Sequence, residues 1–274
     1  MLPKIAVCQM LSSASVKENF SQLEQLLKKA QAEQVDLAVL PENFAFMGMH
    51  EDDKLKIAES FGHGEIQQAL ARLAKQYNLW LIAGTIPLRA DKGRVRAASL
   101  VFDNQGKCVA RYDKIHLFDV RVSETEAHQE SKTIEPGDKL TVVDTPVGKI
   151  GLTVCYDLRF PELYRQLEEK GAQLFTVPSA FTAITGAAHW ETLLRARAIE
   201  NLCYVLAPDQ GGKHENGRLT YGHSMIIDPW GKIIAQRAET GFGLISANID
   251  LKHLQNLRSQ FPCNNHHVLA KNMV

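Results

Sequence analysis

This chain is expected to fold as one α/β unit in which two similar mixed sheets pack face to face with helices outside. Three observations predict this. Apolar runs alternate with amphipathic stretches along all 274 residues. The short runs, such as Leu37–Leu40 and Leu174–Val177, are apolar or nearly so at consecutive positions, as strands covered on both faces require. The order also recurs. KIAV at Lys4 returns as KIGL at Lys149, LAVLPENF at Leu37 as LFTVPSAF at Leu174, and SLVFDNQGKCVA at Ser99 as SMIIDPWGKIIA at Ser224. The spacing between matched anchors shrinks along the chain, so the first half carries the extra residues, and an internal duplication is inferred.

Each element has a local reason. Lys4–Gln9 reads as a buried strand, and Val16–Glu33 as a helix with Phe20, Leu23, Leu26, Leu27 and Ala30 on one face. Leu37–Leu40 is a strand closed by Pro41, Ile66–Tyr77 a helix and Leu79–Ile86 a strand. Val95–Phe102 and Cys108–Tyr112 flank a polar turn and read as a hairpin. Residues 114–139 form a long polar connection, a length that usually carries function. In the second half, Lys149–Val154 is a strand and Pro161–Lys170 a helix, with Pro161 suited to its first turn and Gly171 to its end. Strands Leu174–Val177 and Cys203–Ala207 flank a helix over Ala188–Asn201. GGKHENG is expected to be a mobile loop near the site, followed by a hairpin over Ser224–Ile227 and Lys232–Gln236, a strand Phe242–Ile249 and a short helix Leu251–Ser259. The whole of 1–274 is taken as a single domain with a short C-terminal tail from about residue 260.

Composition narrows the function classes. The formal net charge is zero and no basic block stands out, which argues against a nucleic-acid partner. No apolar run reaches membrane-spanning length and no secretory signal is visible, so no membrane partner is expected. Cys8, Cys108, Cys155, Cys203 and Cys263 are odd in number, scattered and without a CxxC pair. They read as reduced thiols of a cytoplasmic protein, not as a disulfide framework or zinc site. His253, His266 and His267 lie near or in the tail without ligand partners at metal spacing, and His116 and His223 read as structural. No metal and no organic cofactor is expected.

Three residues carry candidate chemistry. Cys155, in KIGLTVCYDLRFPELY, sits between the end of a strand and the start of a helix. Such an elbow holds a nucleophile clear of the sheet. Its ordinary alternative is a buried structural thiol. Glu42, in LAVLPENF, follows a strand end and projects at the sheet's edge, where the matching residue of the second half is Ser179. The architecture therefore does not demand a carboxylate there, and a solvated loop glutamate is the plain alternative. Lys114, in RYDKIHLFD, follows a hairpin, where most lysines are surface residues.

Together the three motifs resemble the nitrilase superfamily of carbon–nitrogen hydrolases, over nearly the whole chain. The resemblance implies a four-layer αββα sandwich, with Glu42 as general base, Lys114 as oxyanion stabiliser, Cys155 as nucleophile and Glu130 as a second site glutamate. Glu42 would take the thiol proton and later activate water. Lys114 and the Tyr156 N–H would stabilise the tetrahedral oxyanion, ammonia would leave, and water would hydrolyse the thioester. Glu130 would orient Lys114 or substrate.

The stretches VPSAFTAITGAAHWETLLRARAIENLCYV and YGHSMIIDPWG resemble the branch that contains deaminated glutathione amidase and, more distantly, omega-amidase. Substrate contacts are then expected from Tyr156, Arg159, Phe181 and Thr182, with Arg159 clamping a substrate carboxylate. Surface pairing for Arg159 and core packing for Phe181 are the alternatives. The branch usually has a small residue where Asp209 stands, and its aliphatic-glycine stretch is replaced here by VRVSETEAHQ. The partner is a small amide of an acid. Omega-amidase activity on 2-oxoglutaramate, a carbamoyl-amide hydrolase, a nitrilase and a catalytically idle scaffold remain the alternatives. The resemblance also implies a homodimer through helices near 188–201, where the apolar residues spread beyond one face.

Overall fold

The computed structural model describes residues 2–122, 124, 127–266 and 268. In chain order the first half holds β1 (Lys4–Gln9), α1 (Val16–Ala32), β2 (Leu37–Val39), α2 (Glu65–Tyr77), β3 (Trp80–Arg89), β4 (Val95–Phe102) and β5 (Cys108–Asp113). A small hairpin of β6 (Asp119–Arg121) and β7 (Ala127–Gln129) follows. The second half holds β8 (Val142–Thr145), β9 (Gly148–Leu152), α3 (Pro161–Glu169), β10 (Leu174–Thr176), α4 (Ala183–Asn201) and β11 (Tyr204–Ala207). It continues with β12 (Gly211–Lys213), β13 (Leu219–Tyr221), β14 (Met225–Ile227), β15 (Ile233–Gln236), β16 (Gly243–Asn248) and α5 (Leu251–Gln260).

Two six-stranded mixed sheets result, in the orders β16-β1-β2-β3-β4-β5 and β15-β14-β11-β10-β9-β8. Read from β16 and from β8, they match strand for strand. Each opens with an antiparallel pair (β16–β1, β8–β9) and continues with two parallel pairs (β1–β2–β3, β9–β10–β11). Each closes with two antiparallel pairs (β3–β4–β5, β11–β14–β15). The repeat read from three sequence anchors thus extends to the whole topology.

Strand alternation separates the layers. In the first sheet, Ile5, Val7, Leu37 and Val39 point into a core shared with Ile150, Leu152 and Leu174 of the second. Their neighbours Ala6, Cys8, Ala38 and Leu40 face the other way, onto Leu23, Leu27, Leu70 and Leu73 of α1 and α2. Leu163 and Leu167 of α3 and Trp190 and Leu194 of α4 cover the second sheet. The four layers are therefore helix, sheet, sheet, helix. Fully burying one such aliphatic side chain stabilises the fold by roughly 1.5–3 kcal/mol, so the central core dominates.

Some boundaries differ from expectation, for identifiable reasons. Helix α4 begins at Ala183, not Ala188, because the Thr182 side chain caps it by accepting the Thr185 N–H. The 114–139 connection is not bare, since it contains β6, β7 and a 3-10 turn over Glu130–Lys132. GGKHENG is a defined hairpin of β12 and β13, tied down at its tip: Asn216 Nδ2 donates to Gly48 O at 2.8 Å, and Glu215 accepts the Ala14 N–H at 3.1 Å. Parts of the 121–129 segment, and His267 with residues 269–274 of the tail expected from about 260, lie outside the described residues. Among the described residues no helix is long and apolar enough to cross a membrane.

Candidate active site

Glu42 sits beyond the C-terminal end of β2, at the strand end as expected, but its side chain does not project outward. Its backbone is fixed from three sides. Pro41 lies against Gly84, where an added Cβ would stand 1.8 Å from the Pro41 carbonyl oxygen, so only glycine allows the approach. The Asn43 N–H donates to Thr85 Oγ1 at 2.9 Å, and Gln210 Nε2 donates to the Glu42 carbonyl at 3.0 Å. The buried carboxylate then aims inward. Its Oε1 accepts from Lys114 Nζ at 2.8 Å, and its Oε2 accepts the Ala180 N–H at 3.0 Å.

Lys114 follows β5. Its N–H donates to Ala97 O, and its carbonyl accepts the Gly137 N–H, so the backbone cannot swing outward. Its side chain is only 1% exposed, against the surface position usual for lysine. Nζ also meets Glu130, at 3.0 Å from Oε1 and 2.9 Å from Oε2. Glu130 is anchored in turn by the Phe118 N–H at 2.7 Å. Burial pulls the Lys114 ammonium down, but Glu130 and then Glu42 outweigh it and hold the group well above the ordinary lysine value. Burial pushes the Glu130 carboxyl up, and Lys114 reverses this, leaving it below the usual glutamate value. One cation held between two carboxylates is a fixed electrostatic element.

Cys155 opens a 3-10 turn, Cys155–Arg159, directly after the strand end at Val154. Its φ is +47°, a left-handed conformation that costs a non-glycine residue roughly 1–3 kcal/mol. Two anchors hold it there. The Cys155 N–H donates to Pro178 O at 2.9 Å. The fully buried Asp157 accepts from the Val154 N–H at 2.8 Å, the Tyr112 hydroxyl at 2.7 Å and the His116 N–H at 3.0 Å, and it contacts His116 Nδ1 at 2.7 Å. Burial first, and then the Glu42 charge, raise the Cys155 thiol well above its ordinary pKa, with Lys114 acting in the opposite direction. The same surroundings thus disfavour a resting thiolate.

Glu42, Lys114, Glu130, Cys155, Tyr156, Phe181 and Thr182 all line one cavity of about 480 Å³, within the usual range for small-molecule sites. Arg159 does not line it. The guanidinium turns toward α4, with Nη1 3.3 Å from His189 Nδ1, and packs 5.4 Å from the Phe181 ring centre and 5.7 Å from that of Tyr156. His116 is structural, stacked on Phe160 and bonded to Asp157, and His223 stacks on Tyr221. Among the described residues no group of three or more His, Cys, Asp or Glu side chains is placed to hold a metal ion.

The sequence reading missed four contributors. Asp157 was visible in the CYD triplet only as a neighbour of Cys155. Thr85 and Asp209 act on backbone N–H groups 42 and 28 residues away. Arg218 reaches the cavity from the β12–β13 hairpin. No local spacing rule reports such pairings.

The carbon–nitrogen hydrolase family pattern matches residues 4–259. The deaminated glutathione amidase of Yersinia enterocolitica is 41% identical over 98% of this chain and 94% of its own length. That of Homo sapiens is 42% identical over 97% of this chain and 82% of its own length. The crystal structure of the C. elegans NitFhit protein superimposes with a TM-score of 0.89 at 38% identity, covering 97% of this chain and 66% of that one. The chain belongs to the carbon–nitrogen hydrolase family of the nitrilase superfamily, enzymes that hydrolyse carbon–nitrogen bonds other than peptide bonds.

Proposed function

We propose that this hydrolase is a cysteine-dependent amidase whose substrate is deaminated glutathione. The observation that carries the mechanism is the Lys114 ammonium held between Glu42 and Glu130 beside Cys155 at a strained elbow. Glu42 takes the proton from Cys155 as Sγ attacks the amide carbon. The negative charge that forms on oxygen is met by Lys114 Nζ and the Tyr156 N–H. The protonated Glu42 then returns its proton to the departing nitrogen, and the C–N bond breaks to leave a thioester. Glu42 next deprotonates a water, which attacks the thioester, and the thiol leaves with its proton restored. Glu130 keeps Lys114 in place throughout. For a primary amide the departing molecule is ammonia. For deaminated glutathione it is cysteinylglycine.

The similarity to deaminated glutathione amidases supports this substrate. Phe181 and Thr182 form the wall beside Tyr156, and Arg159 adds positive charge behind that wall for the acid at the acyl end. The test is a panel of deaminated glutathione, 2-oxoglutaramate, an N-carbamoyl amino acid and a simple nitrile, read as product formation. Highest kcat/KM on deaminated glutathione is expected. Turnover of only the carbamoyl compound or the nitrile would replace this reading with one of those activities.

The same reading includes pairing with a second copy. Ile199 of α4 stands exposed near Trp230 and Phe261, whose rings meet at 5.6 Å. Apolar groups gathered in this way suit an interface. Sedimentation at micromolar concentration should give a dimer, and a monomer removes this part of the proposal.

A further inference from the structure

We infer that Arg218 recognises a carboxylate carried by the departing amine, so that the enzyme selects substituted amides whose leaving group ends in an acid. This rests on the amidase reading above and adds a residue and a specificity to it.

The direction of departure places Arg218. Glu42 gives its proton to the leaving nitrogen, so that nitrogen lies on the Glu42 side of the reacting carbon. Glu42 Oε2 is held by the N–H of Ala180 at 3.0 Å. The carbonyl of the same residue accepts Arg218 Nη2 at 2.6 Å. A leaving group that extends past Glu42 along this wall therefore meets the Arg218 guanidinium. Lys114 lies on the other Glu42 oxygen, where it serves the oxyanion.

The guanidinium has donors to offer. Two further side chains of the wall that always carry positive charge, besides Lys114, can be compared. Arg96 is committed to Glu135 and to the Pro136 carbonyl. Lys54 is paired with Glu51 at 2.8 Å. His128 also has a partner. Arg218 makes no ion pair among the described residues, and its Nε is buried without a hydrogen-bond partner. Glu51 and the buried Asp209 are carboxylates close enough to feel its charge, but Lys54 already engages Glu51, and Asp209 already accepts the Phe181 and Gly222 N–H groups. An arginine presents five N–H donors in a planar fork that matches a carboxylate, which is the chemistry this position leaves open.

The backbone that carries Arg218 is held in place. Its N–H donates to Asn216 Oδ1 at 2.9 Å, and its carbonyl accepts the His214 N–H at 2.9 Å. The Asn216 amide is pinned to Gly48, another residue of the cavity lining. A group fixed in this way loses little freedom on binding. In deaminated glutathione, the acid on the departing side is the glycine carboxylate. The same recognition explains why a primary amide, which leaves as ammonia, would gain nothing from this residue.

The experiment compares kcat/KM for deaminated glutathione with that for the same compound carrying a glycinamide end, and includes 2-oxoglutaramate. In the wild type the acid should be preferred over its amide by about tenfold or more. In Arg218→Ala the ratio should fall to within about twofold of one, and Arg218→Lys, with charge but no fork, should lie between. Each ratio is taken within one preparation, so partial unfolding of a variant cancels. No preference in the wild type, or an unchanged ratio in Arg218→Ala, overturns the assignment and leaves the amidase standing. A wild type that turns over 2-oxoglutaramate but not deaminated glutathione overturns both the substrate and this role. Turnover of none of the three overturns the amidase reading itself.

Discussion

At the end of β2 the chain runs Pro41-Glu42-Asn43, and at the end of β10 it runs Pro178-Ser179-Ala180. The two sites are topologically equivalent. Leu40 N–H donates to Ile82 O in one half, and Val177 N–H donates to Leu206 O in the other. The same register sets Gly84-Thr85 against Pro208-Asp209 on the neighbouring strands. Each half thus places one carboxylate near its strand end, but in different positions. In the first half it is Glu42, aimed into the cavity. In the second it is Asp209, which accepts the Phe181 N–H and the Gly222 N–H, both at 2.8 Å, and shows no surface. Thr85, the counterpart of Asp209, accepts one N–H, that of Asn43. Repetition supplies the frame, and the proposed site arises where the repeats differ. The first half contributes the carboxylate and the cation. The second contributes the elbow and the backbone groups, Pro178 O and Ala180 N–H, that hold Cys155 and Glu42 in register.

The largest effect should separate Glu42 from Ser179. Glu42→Gln keeps the size and most hydrogen bonds but cannot take a proton. A general base in such a step contributes roughly 10²–10⁴-fold, so kcat should fall by about that factor. Ser179→Ala removes only a hydroxyl bonded to the Val177 carbonyl and should change kcat by less than about threefold. Steady-state kinetics on deaminated glutathione measures both. Comparable losses at the two positions would mean that the strand ends share a structural job and that Glu42 is not the base.

Much of this was legible in the sequence. The strands and helices followed from apolar periodicity, and β4 was bounded to the residue. Cys155, Glu42 and Lys114 stood out as motifs at element ends and were joined into one site through the family resemblance, and the structure brings them to one cavity. What escaped was the part that depends on distant pairing. Arg159 was expected to clamp substrate because it follows the elbow. The 3-10 turn instead carries it out of the cavity wall, toward His189. Arg218 sits in a stretch rich in glycine and polar residues, which reads as loose chain. Its position depends on the Asn216–Gly48 bond, and no pattern within the hairpin shows that contact. Asp209 was noticed as a departure without a reason, and the reason is two backbone N–H groups that fold against it.

A smaller effect sharpens the contrast between Asp209 and Thr85. Asp209→Ala strips the acceptor from two backbone N–H groups, at roughly 1–3 kcal/mol for each one left buried and unpaired. Thr85→Val, nearly isosteric, strips one. Denaturant unfolding should therefore rank Asp209→Ala as the more destabilised, by about the cost of one such group. Burial pushes the Asp209 carboxyl well above the usual aspartate range, while the Phe181 and Gly222 N–H groups pull it back. Its stability contribution thus combines a desolvation cost with two hydrogen bonds. Asp209→Asn keeps one carbonyl acceptor, so it should fall between the alanine variant and the wild type. Kinetics should split the pair differently. Phe181 lines the cavity, so Asp209→Ala should act mainly on KM. Thr85 fixes the residue after Glu42, so Thr85→Val should act mainly on kcat. If the two substitutions proved equally destabilising and lowered kcat alike, the second half's carboxylate would have no positioning role beyond that of a threonine.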